Sequence, residues 1–210
     1  MDKPIVCRKI SEAEIPQTAR IIFDAFNKFS EEAGLPVTPE VSIVENRIRE
    51  YANERGVPGV FYGAFAGDEQ LGAFMLRKLG IDEESWEISM LSVKPEYQRK
   101  GIAREMLKLA TSETLENRGV LMVCAVIEGN DAALNFFADN GFECEASGIP
   151  VSEEMSIWML RKDMKNLKSA QRAKEEAIKD KEEEEKALEG MVLRPELLNA
   201  AEKCEGTIEE

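Results

Sequence analysis

The segment at residues 92–103, SVKPEYQRKGIA, places a proline, a basic pair and a glycine between an apolar run and a helical pattern. Gly101 lies where the helix would begin, and a residue without a side chain lets a ligand approach the backbone closely. The first turn of a helix also carries unpaired N–H groups and the positive end of the helix dipole. Arg99, Lys100 and Arg104 add cations, which suit a diphosphate better than a single carboxylate. The segment therefore predicts a diphosphate site.

Several other kinds of site are excluded by what the sequence lacks. Neither the GxxxxGK[ST] pattern nor the GxGxxG fingerprint is present, so nucleoside triphosphates and NAD are poor fits. The chain has no histidine, which excludes Ser-His-Asp and Cys-His catalysis and leaves a carboxylate, a lysine of lowered pKa or water as the base. The lack of histidine also argues against a zinc site, and no metal is predicted. The cysteines lack CxxC spacing and a secretory signal, which predicts reduced thiols; they are Cys7, Cys124, Cys144 and Cys204.

Two longer motifs resemble the GNAT family of N-acetyltransferases. Residues 98–103 match the acetyl-CoA loop form [QR]-x-x-G-x-[GA], and residues 91–97 match the preceding strand end, L-x-V-x-P-x-[YF]. Residues 130–142 match the family's N-x-x-A-x-x-[FL]-[YF]-x-x-x-G-F helix. The resemblance covers about residues 4–162. It implies an α/β (α+β) fold in which a mixed, mostly antiparallel, splayed central sheet is flanked by helices.

The resemblance also implies that acetyl-CoA is the cofactor and indicates where each part of it would bind. The residues whose backbone would pair with the pantetheine arm are Leu91, Ser92 and Val93. The residues that would hold the diphosphate are Gln98, Arg99, Lys100, Gly101, Ile102, Ala103 and Arg104. Asn130 would reach the pantetheine amides, and Phe136 and Phe137 would line the thioester end.

Attack on a thioester requires a neutral amine. An amine with a pKa near 10.4 is protonated at pH 7 in all but about one molecule in 10³. A carboxylate can accept this proton directly or through water. Glu87 lies on the strand where several family members have a glutamate base, eleven residues before Gln98, and the resemblance makes it the candidate catalytic base. The alternative is that Glu87 is only an outward-facing charge on a strand. Trp86, which is next to Glu87, must point to the opposite face of the sheet.

Phe137 departs from the family pattern. Many members have a tyrosine there, thought to protonate the leaving thiolate. A thiol pKa near 8.5 makes CoA a tolerable leaving group without that acid. Tyr62, Tyr97 and Cys124 are the conceivable substitutes for the tyrosine.

The elements that must position these residues follow from hydrophobic periodicity. Strands are predicted at residues 4–10, at GVFYGAFA and LGAFMLRKL around a Gly67-Asp68 turn, at SWEISMLSV, at VLMVCAVI, at FECEA and at MSIWML. Helices are predicted from Glu14, from about Val41 to Glu54, along the stripe of Ile102, Met106, Leu107 and Ala110, and over DAALNFFADN. The run VLMVCAVI is continuously apolar and predicts a strand buried on both faces.

The charge distribution restricts the partners. The net charge is −14, and residues 1–160 hold 16 basic and 27 acidic groups, which leaves −11 in this part. Such an acidic domain repels nucleic acid and attracts a cationic amine. No apolar run reaches the roughly 18 residues of a membrane span, and the apolar stretch within MDKPIVCRKI is too short for a signal peptide. We therefore predict a cytoplasmic protein without nucleic-acid or membrane partners.

The composition predicts two regions. Residues 1–162 form the GNAT-like domain, and residues 163–210, rich in Lys, Glu and Ala, form a charged helical extension with an exposed helix ending near Gly190. A homodimer or partner contact through this helix is the alternative to a solvated extension.

The predicted function is acetyl-CoA-dependent N-acetylation of a primary amine by direct attack in a ternary complex. A small-molecule acceptor is favoured, because the acidic domain and the loop FSEEAGLPVTPE would form a closed pocket for a cation. A peptide or protein N-terminus is the alternative, and an open groove on the acceptor side would favour it. A non-catalytic acyl-CoA-binding module is a further alternative, favoured by Phe137 and opposed by Glu87 and the complete loop.

Overall fold

The computed structural model describes residues 3–79 and 84–169, together with Glu182, Glu183 and Lys186. The chain divides into two units, Met1–Lys165 and Asn166–Glu210, and the elements described below lie in the first. The predicted extension at 163–210, with its helix ending near Gly190, falls mostly outside the described residues and stays a prediction. None of the described helices is long and apolar enough to cross a bilayer.

Residues 3–79 and 84–164 form seven strands and four α-helices. The strands are β1 (Ile5–Lys9), β2 (Val60–Ala66), β3 (Glu69–Lys78), β4 (Ser85–Val93), β5 (Leu121–Ile127), β6 (Glu143–Pro150) and β7 (Ser156–Asp163). The helices are α1 (Ile15–Ala33), α2 (Val41–Ala52), α3 (Ile102–Glu116) and α4 (Asp131–Asp139). A short 3₁₀ helix at Glu12–Glu14 precedes α1, and another at Pro95–Tyr97 precedes the loop before α3. The predicted hairpin is confirmed as β2 and β3.

The strands form one sheet in the order β1-β2-β3-β4-β5-β7-β6. Every neighbouring pair is antiparallel except β4 and β5, which are parallel and are joined through α3. The predicted mixed, mostly antiparallel sheet flanked by helices is therefore confirmed.

The two faces of the sheet are covered by different helices. On one face, the predicted stripe of α3 is buried against the sheet, as are Trp86 of β4 and Phe137 of α4. On the other face, α1 and α2 pack against β2 and β3 through residues such as Ile22 and Ile48. Trp86 lies in the α3 core while Glu87 faces the α1 and α2 side, as alternation along a strand requires.

The parallel pair β4 and β5 is short. Only residues 85–87 of β4 pair with residues 121–123 of β5, and beyond them the two strands separate. The prediction that VLMVCAVI is buried on both faces is wrong at Ala125, which is exposed. The reason is that Cys124 and Val126 point into the α3 core, so that Ala125 points to the other face of the sheet, where it lines the opening between β4 and β5.

A bulge in β4 accompanies this separation. Ala73 of β3 pairs with Ser92, and Met75 pairs with Ser89, so β4 has one residue more than β3 over this stretch. Met90 within the bulge has a φ of 54°, which is a left-handed conformation. This conformation is unfavourable for a residue with a side chain. Because a bulge bends its strand, the second half of β4 turns away from β5.

Candidate active site

The separation of β4 from β5 opens a cleft of about 290 Å³. Residues 88–93 of β4 and 124–127 of β5 form two of its walls, and the start of α4 and the second half of α1 close the others. Along this stretch the edge of β4 that faces β5 has no partner strand among the described residues. An extended ligand could therefore bind there as an added strand.

The loop before α3 lies at one end of this cleft, where Gln98 is part of the wall. Gly101 caps α3 with a φ of 84°, and no atom lies within 4 Å of the position that a Cβ would occupy. Arg99 also has a left-handed φ, of 62°. Within the described part of the chain, the backbone N–H groups of residues 99–103 have no hydrogen-bond partner. The loop therefore presents a row of free donors at the positive end of α3, which suits an anion.

The side chains of the loop have different surroundings. Gln98 Nε2 donates to the carbonyl of Val93 at 3.2 Å, which ties the loop to the end of β4. Lys100 Nζ donates to the carbonyl of Glu96 at 2.7 Å. Arg99 and Arg104 have no ion pair with any described residue. The two arginines are therefore the cations that are available to a diphosphate without breaking another contact.

Asn130 begins α4 at the edge of the cleft. Its side-chain oxygen accepts a hydrogen bond from the N–H of Ala133 at 3.1 Å, as a helix cap does. Its Nδ2 has no partner among the described residues and remains able to donate to a ligand.

Two buried hydroxyls in the cleft also lack partners. Ser89 and Ser92 line the cleft, and neither Oγ has a hydrogen bond to a described residue. A buried hydroxyl without a partner costs about 1–3 kcal/mol, which a ligand with amide groups would offset. Ser89 was not predicted from the sequence, because only the register of the bulge places its hydroxyl here.

The two adjacent phenylalanines of α4 differ in position. Phe137 is buried and lines the cleft, whereas Phe136 is half-buried and lies outside the cleft lining. Phe136 packs edge-on against Phe137, with ring centroids 5.3 Å apart. Only Phe137 is thus in a position to contact a ligand in the cleft, and Phe136 supports it from behind.

Of the three conceivable substitutes for the missing tyrosine, only Cys124 lines the cleft. The hydroxyls of Tyr62 and Tyr97 donate to Glu113 and Glu69, at 2.9 and 3.0 Å. Burial, together with a nearby carboxylate, raises the pKa of the Cys124 thiol to about 12. A thiol with that pKa gives up its proton less readily than a CoA thiol with a pKa near 8.5, so Cys124 is a poor acid for the leaving thiolate.

Glu87 lies at the closed end of the cleft rather than in its walls. It is the last residue of β4 that pairs with β5, opposite Val123. Its Oε2 accepts a hydrogen bond from Arg77 Nε at 2.6 Å, and Arg77 also contacts Glu54 at 3.2 Å. The residues that follow Glu87 and its partner Val123 along the two strands, Ile88 and Cys124, line the cleft, so Glu87 borders the cleft.

Sequence reasoning missed two parts of the site. Arg77 lies opposite Glu87 in the β3–β4 pair. The contact between the two residues depends on the register of these strands, which could not be predicted from the sequence. The wall formed by α1, which includes Phe26 and Phe29, was also missed. The sequence predicted the helical stripe that includes Phe26. It did not predict that the second half of this helix lines a cleft.

A sequence profile of the acetyltransferase (GNAT) family matches residues 22–142, which is more than half of the chain. The chain belongs to the GNAT acetyltransferase family. The GNAT match begins within α1 and ends just after α4, so it includes the cleft and the loop before α3. No curated protein matches the chain significantly.

Several solved GNAT and N-acetyltransferase structures share the fold. A candidate GNAT acetyltransferase from Desulfovibrio desulfuricans is 15% identical with a TM-score of 0.63, over 77% of this chain and 99% of that one. The PaiA N-acetyltransferase from Thermoplasma acidophilum, in complex with coenzyme A, is 20% identical with a TM-score of 0.60, over 76% and 99%. The ribosomal-protein-S18-alanine N-acetyltransferase from Escherichia coli is 13% identical with a TM-score of 0.60, over 77% and 94%.

Proposed function

We propose that this GNAT protein is an N-acetyltransferase that binds acetyl-CoA between β4 and β5 and acetylates a primary amine in a ternary complex. One observation carries the proposal: an open cleft with an unpaired strand edge ends at a loop of free N–H groups. These two features fit a ligand that has amides along its chain and a diphosphate at one end. The PaiA relative, whose solved structure contains coenzyme A, supports the same choice of cofactor.

In this proposal each residue holds one part of the cofactor, which supplies the acetyl thioester when bound. The N–H groups of residues 99–103 and the guanidinium groups of Arg99 and Arg104 bind the diphosphate. The backbone of residues 91–93 and Nδ2 of Asn130 bind the pantetheine amides. Phe137 excludes water from the thioester end of the cleft.

Glu87 is the proposed base. Arg77 engages Oε2 and leaves Oε1 without a partner among the described residues, so Oε1 is the atom that would accept the proton, directly or through water. Direct attack by the amine is favoured over an acyl-cysteine. Burial raises the pKa of the Cys124 thiol, so at pH 7 almost all of it is in the un-ionised, weakly nucleophilic form.

A small amine and a peptide N-terminus remain the two acceptor classes. The acidic charge of the domain supports a cationic small amine. The segment FSEEAGLPVTPE, expected to help close the pocket, divides into two parts: Phe29 and Glu32 belong to α1 and line the cleft, whereas residues 34–40 line no part of it. Asn27 holds the backbone of Thr38 at 2.7 and 2.9 Å. Because residues 34–40 leave part of the acceptor side open, we retain the peptide alternative.

Binding and transfer are tested separately. Gly101→Asp adds a side chain and a negative charge where phosphate must approach, and it should weaken acetyl-CoA binding about 10- to 100-fold in calorimetry. Gly56→Asp is the matched control, because Gly56 also has a left-handed φ and open space around it but lies far along the chain from the loop. Equal affinity in both folded variants would disprove the loop assignment.

Transfer is measured as CoA thiol release with a panel of amines and peptides. Acetyl-CoA binding without thiol release for any acceptor would favour the non-catalytic module instead.

A further inference from the structure

A second apolar depression, of about 530 Å³, lies between α1 and α2. We call it the α1–α2 groove. Its apolar lining consists of Ile22, Phe23, Phe26, Ile43, Val44 and Met90. The charged residues in its lining, Arg47 and Glu50, are exposed and pair with each other at 3.2 Å. The groove therefore offers apolar contact and no unpaired charge to a ligand.

The groove adjoins the cofactor cleft. Phe26 and Met90 line both of them. Met90 is the left-handed residue of the β4 bulge, and it packs towards the core formed with α1 and α2. A molecule that occupies the groove would thus reach the bulge, which also borders the cleft.

The groove leaves apolar side chains in contact with solvent. Phe26 is 38% exposed and Ile43 is 50% exposed. Val37, which is 45% exposed, lies in the connection between the same two helices. These are three of the six large apolar side chains that are exposed among the described residues. Apolar surface that is concentrated beside a reaction cleft indicates a binding site for an apolar group.

We propose that the α1–α2 groove binds the apolar part of the acceptor, so that the substrate is a primary amine that carries an alkyl or aryl group. This proposal rests on the proposed acetyl transfer in the adjoining cleft. The amine nitrogen would lie at the bulge, and the apolar group would extend between the helices. The same chemistry has two sources, a free alkyl or aryl amine and a peptide whose first residue has a large apolar side chain.

The test is a substrate series assayed with the full chain. In the free-amine arm, kcat/KM for acetyl transfer is compared among ethylamine, butylamine, hexylamine and phenethylamine. Burial of one methylene is worth about 0.8 kcal/mol, so kcat/KM should rise about fourfold per methylene until the groove is filled. In the peptide arm, Phe-Gly-Gly is compared with Ser-Gly-Gly, and the arm with the larger kcat/KM identifies the source.

A pair of variants locates the effect. Ile43→Ser removes an apolar side chain from the groove, and since Ile43 is half exposed, the fold should tolerate the change. It should lower the hexylamine-to-ethylamine ratio of kcat/KM by about fivefold or more. Val37→Ser is the matched control, because Val37 is similarly exposed but does not line the groove, and it should leave the ratio as in the wild type.

The outcomes separate this inference from the proposed function. Transfer to ethylamine and hexylamine at equal kcat/KM, or a ratio that Ile43→Ser and Val37→Ser change alike, would overturn the groove assignment while leaving acetyl transfer intact. Transfer to no amine and no peptide, in a protein that binds acetyl-CoA, would overturn the proposed function and the groove assignment with it.

Discussion

Replacing Glu87 by Gln gives the most direct test of the proposed chemistry. Gln keeps the shape of the side chain and one oxygen near Arg77, but it cannot accept a proton. At pH 7 an acceptor with a pKa near 10.4 carries a handicap of about 4–5 kcal/mol unless the enzyme removes its proton. Loss of the base should therefore lower kcat by roughly 10²–10⁴, equivalent to about 3–5 kcal/mol, and leave acetyl-CoA affinity nearly unchanged.

The ion pair with Arg77 means that a structural role must be distinguished from a catalytic one. Glu87 and Arg77 are each about four-fifths buried, with side chains 20% and 22% exposed. Breaking the pair should lower the free energy of unfolding by about 1–3 kcal/mol, between the values for exposed and fully buried pairs. Arg77→Met breaks the same pair but retains the carboxylate, and Arg77 is therefore the matched control position.

The assay is the initial rate of thiol release between pH 7 and pH 10, with urea unfolding of each variant alongside. If Glu87 is the base, the defect of Glu87→Gln shrinks as the pH approaches the pKa of the acceptor, because the amine is then neutral in solution. Arg77→Met should lose stability but show a pH profile like that of the wild type. Equal rates and equal pH profiles for the two variants would refute the base assignment and leave Glu87 with a structural role only.

Three further predictions concern the cleft and the fold. Phe137→Tyr should raise or preserve kcat in the thiol-release assay; a loss of rate with intact acetyl-CoA affinity would contradict this. Arg8 lowers the pKa of Glu14 to about 2, so Glu14 stabilises the fold above about pH 4.5 and loses this effect as the pH falls towards 2. Glu14→Gln should thus cost about 1 kcal/mol in urea unfolding at pH 7 and progressively less below pH 4.5. Gly72→Ala should lower the melting temperature through a loss of about 1–3 kcal/mol, since its Cβ would lie 2.8 Å from the carbonyl oxygen of Ser92.

Local patterns in the sequence predicted most elements of the fold. The strand expected at SWEISMLSV coincides with β4, and the helical stripe expected on α3 is buried. Gly141 has the left-handed conformation expected of a glycine that ends α4, and Gly101 lies at the start of α3 as predicted. These features depend on residues close together in the chain, where periodicity and glycine are reliable signals.

The parts that could not be predicted depend on register between distant strands. The pairing of Arg77 with Glu87 requires the exact alignment of β3 and β4. The difference between Phe136 and Phe137 requires the rotation of α4 about its axis, which a stretch of nine helical residues leaves ambiguous. The segment FSEEAGLPVTPE was expected to be one loop, but its first five residues continue α1, and the two hydrogen bonds of Thr38 to Asn27 could not be read from its composition.

The bulge at Met90 connects these separate features. One additional residue in β4 bends the strand, and the bend exposes the strand edge on which an extended cofactor would bind. The same bulge brings Met90 into the lining of both the cleft and the α1–α2 groove. A left-handed φ costs a residue with a side chain about 1–2 kcal/mol, which glycine at this position would avoid. Methionine at the bulge is thus consistent with a side chain that contacts a ligand, because its thioether is apolar and adapts to different shapes.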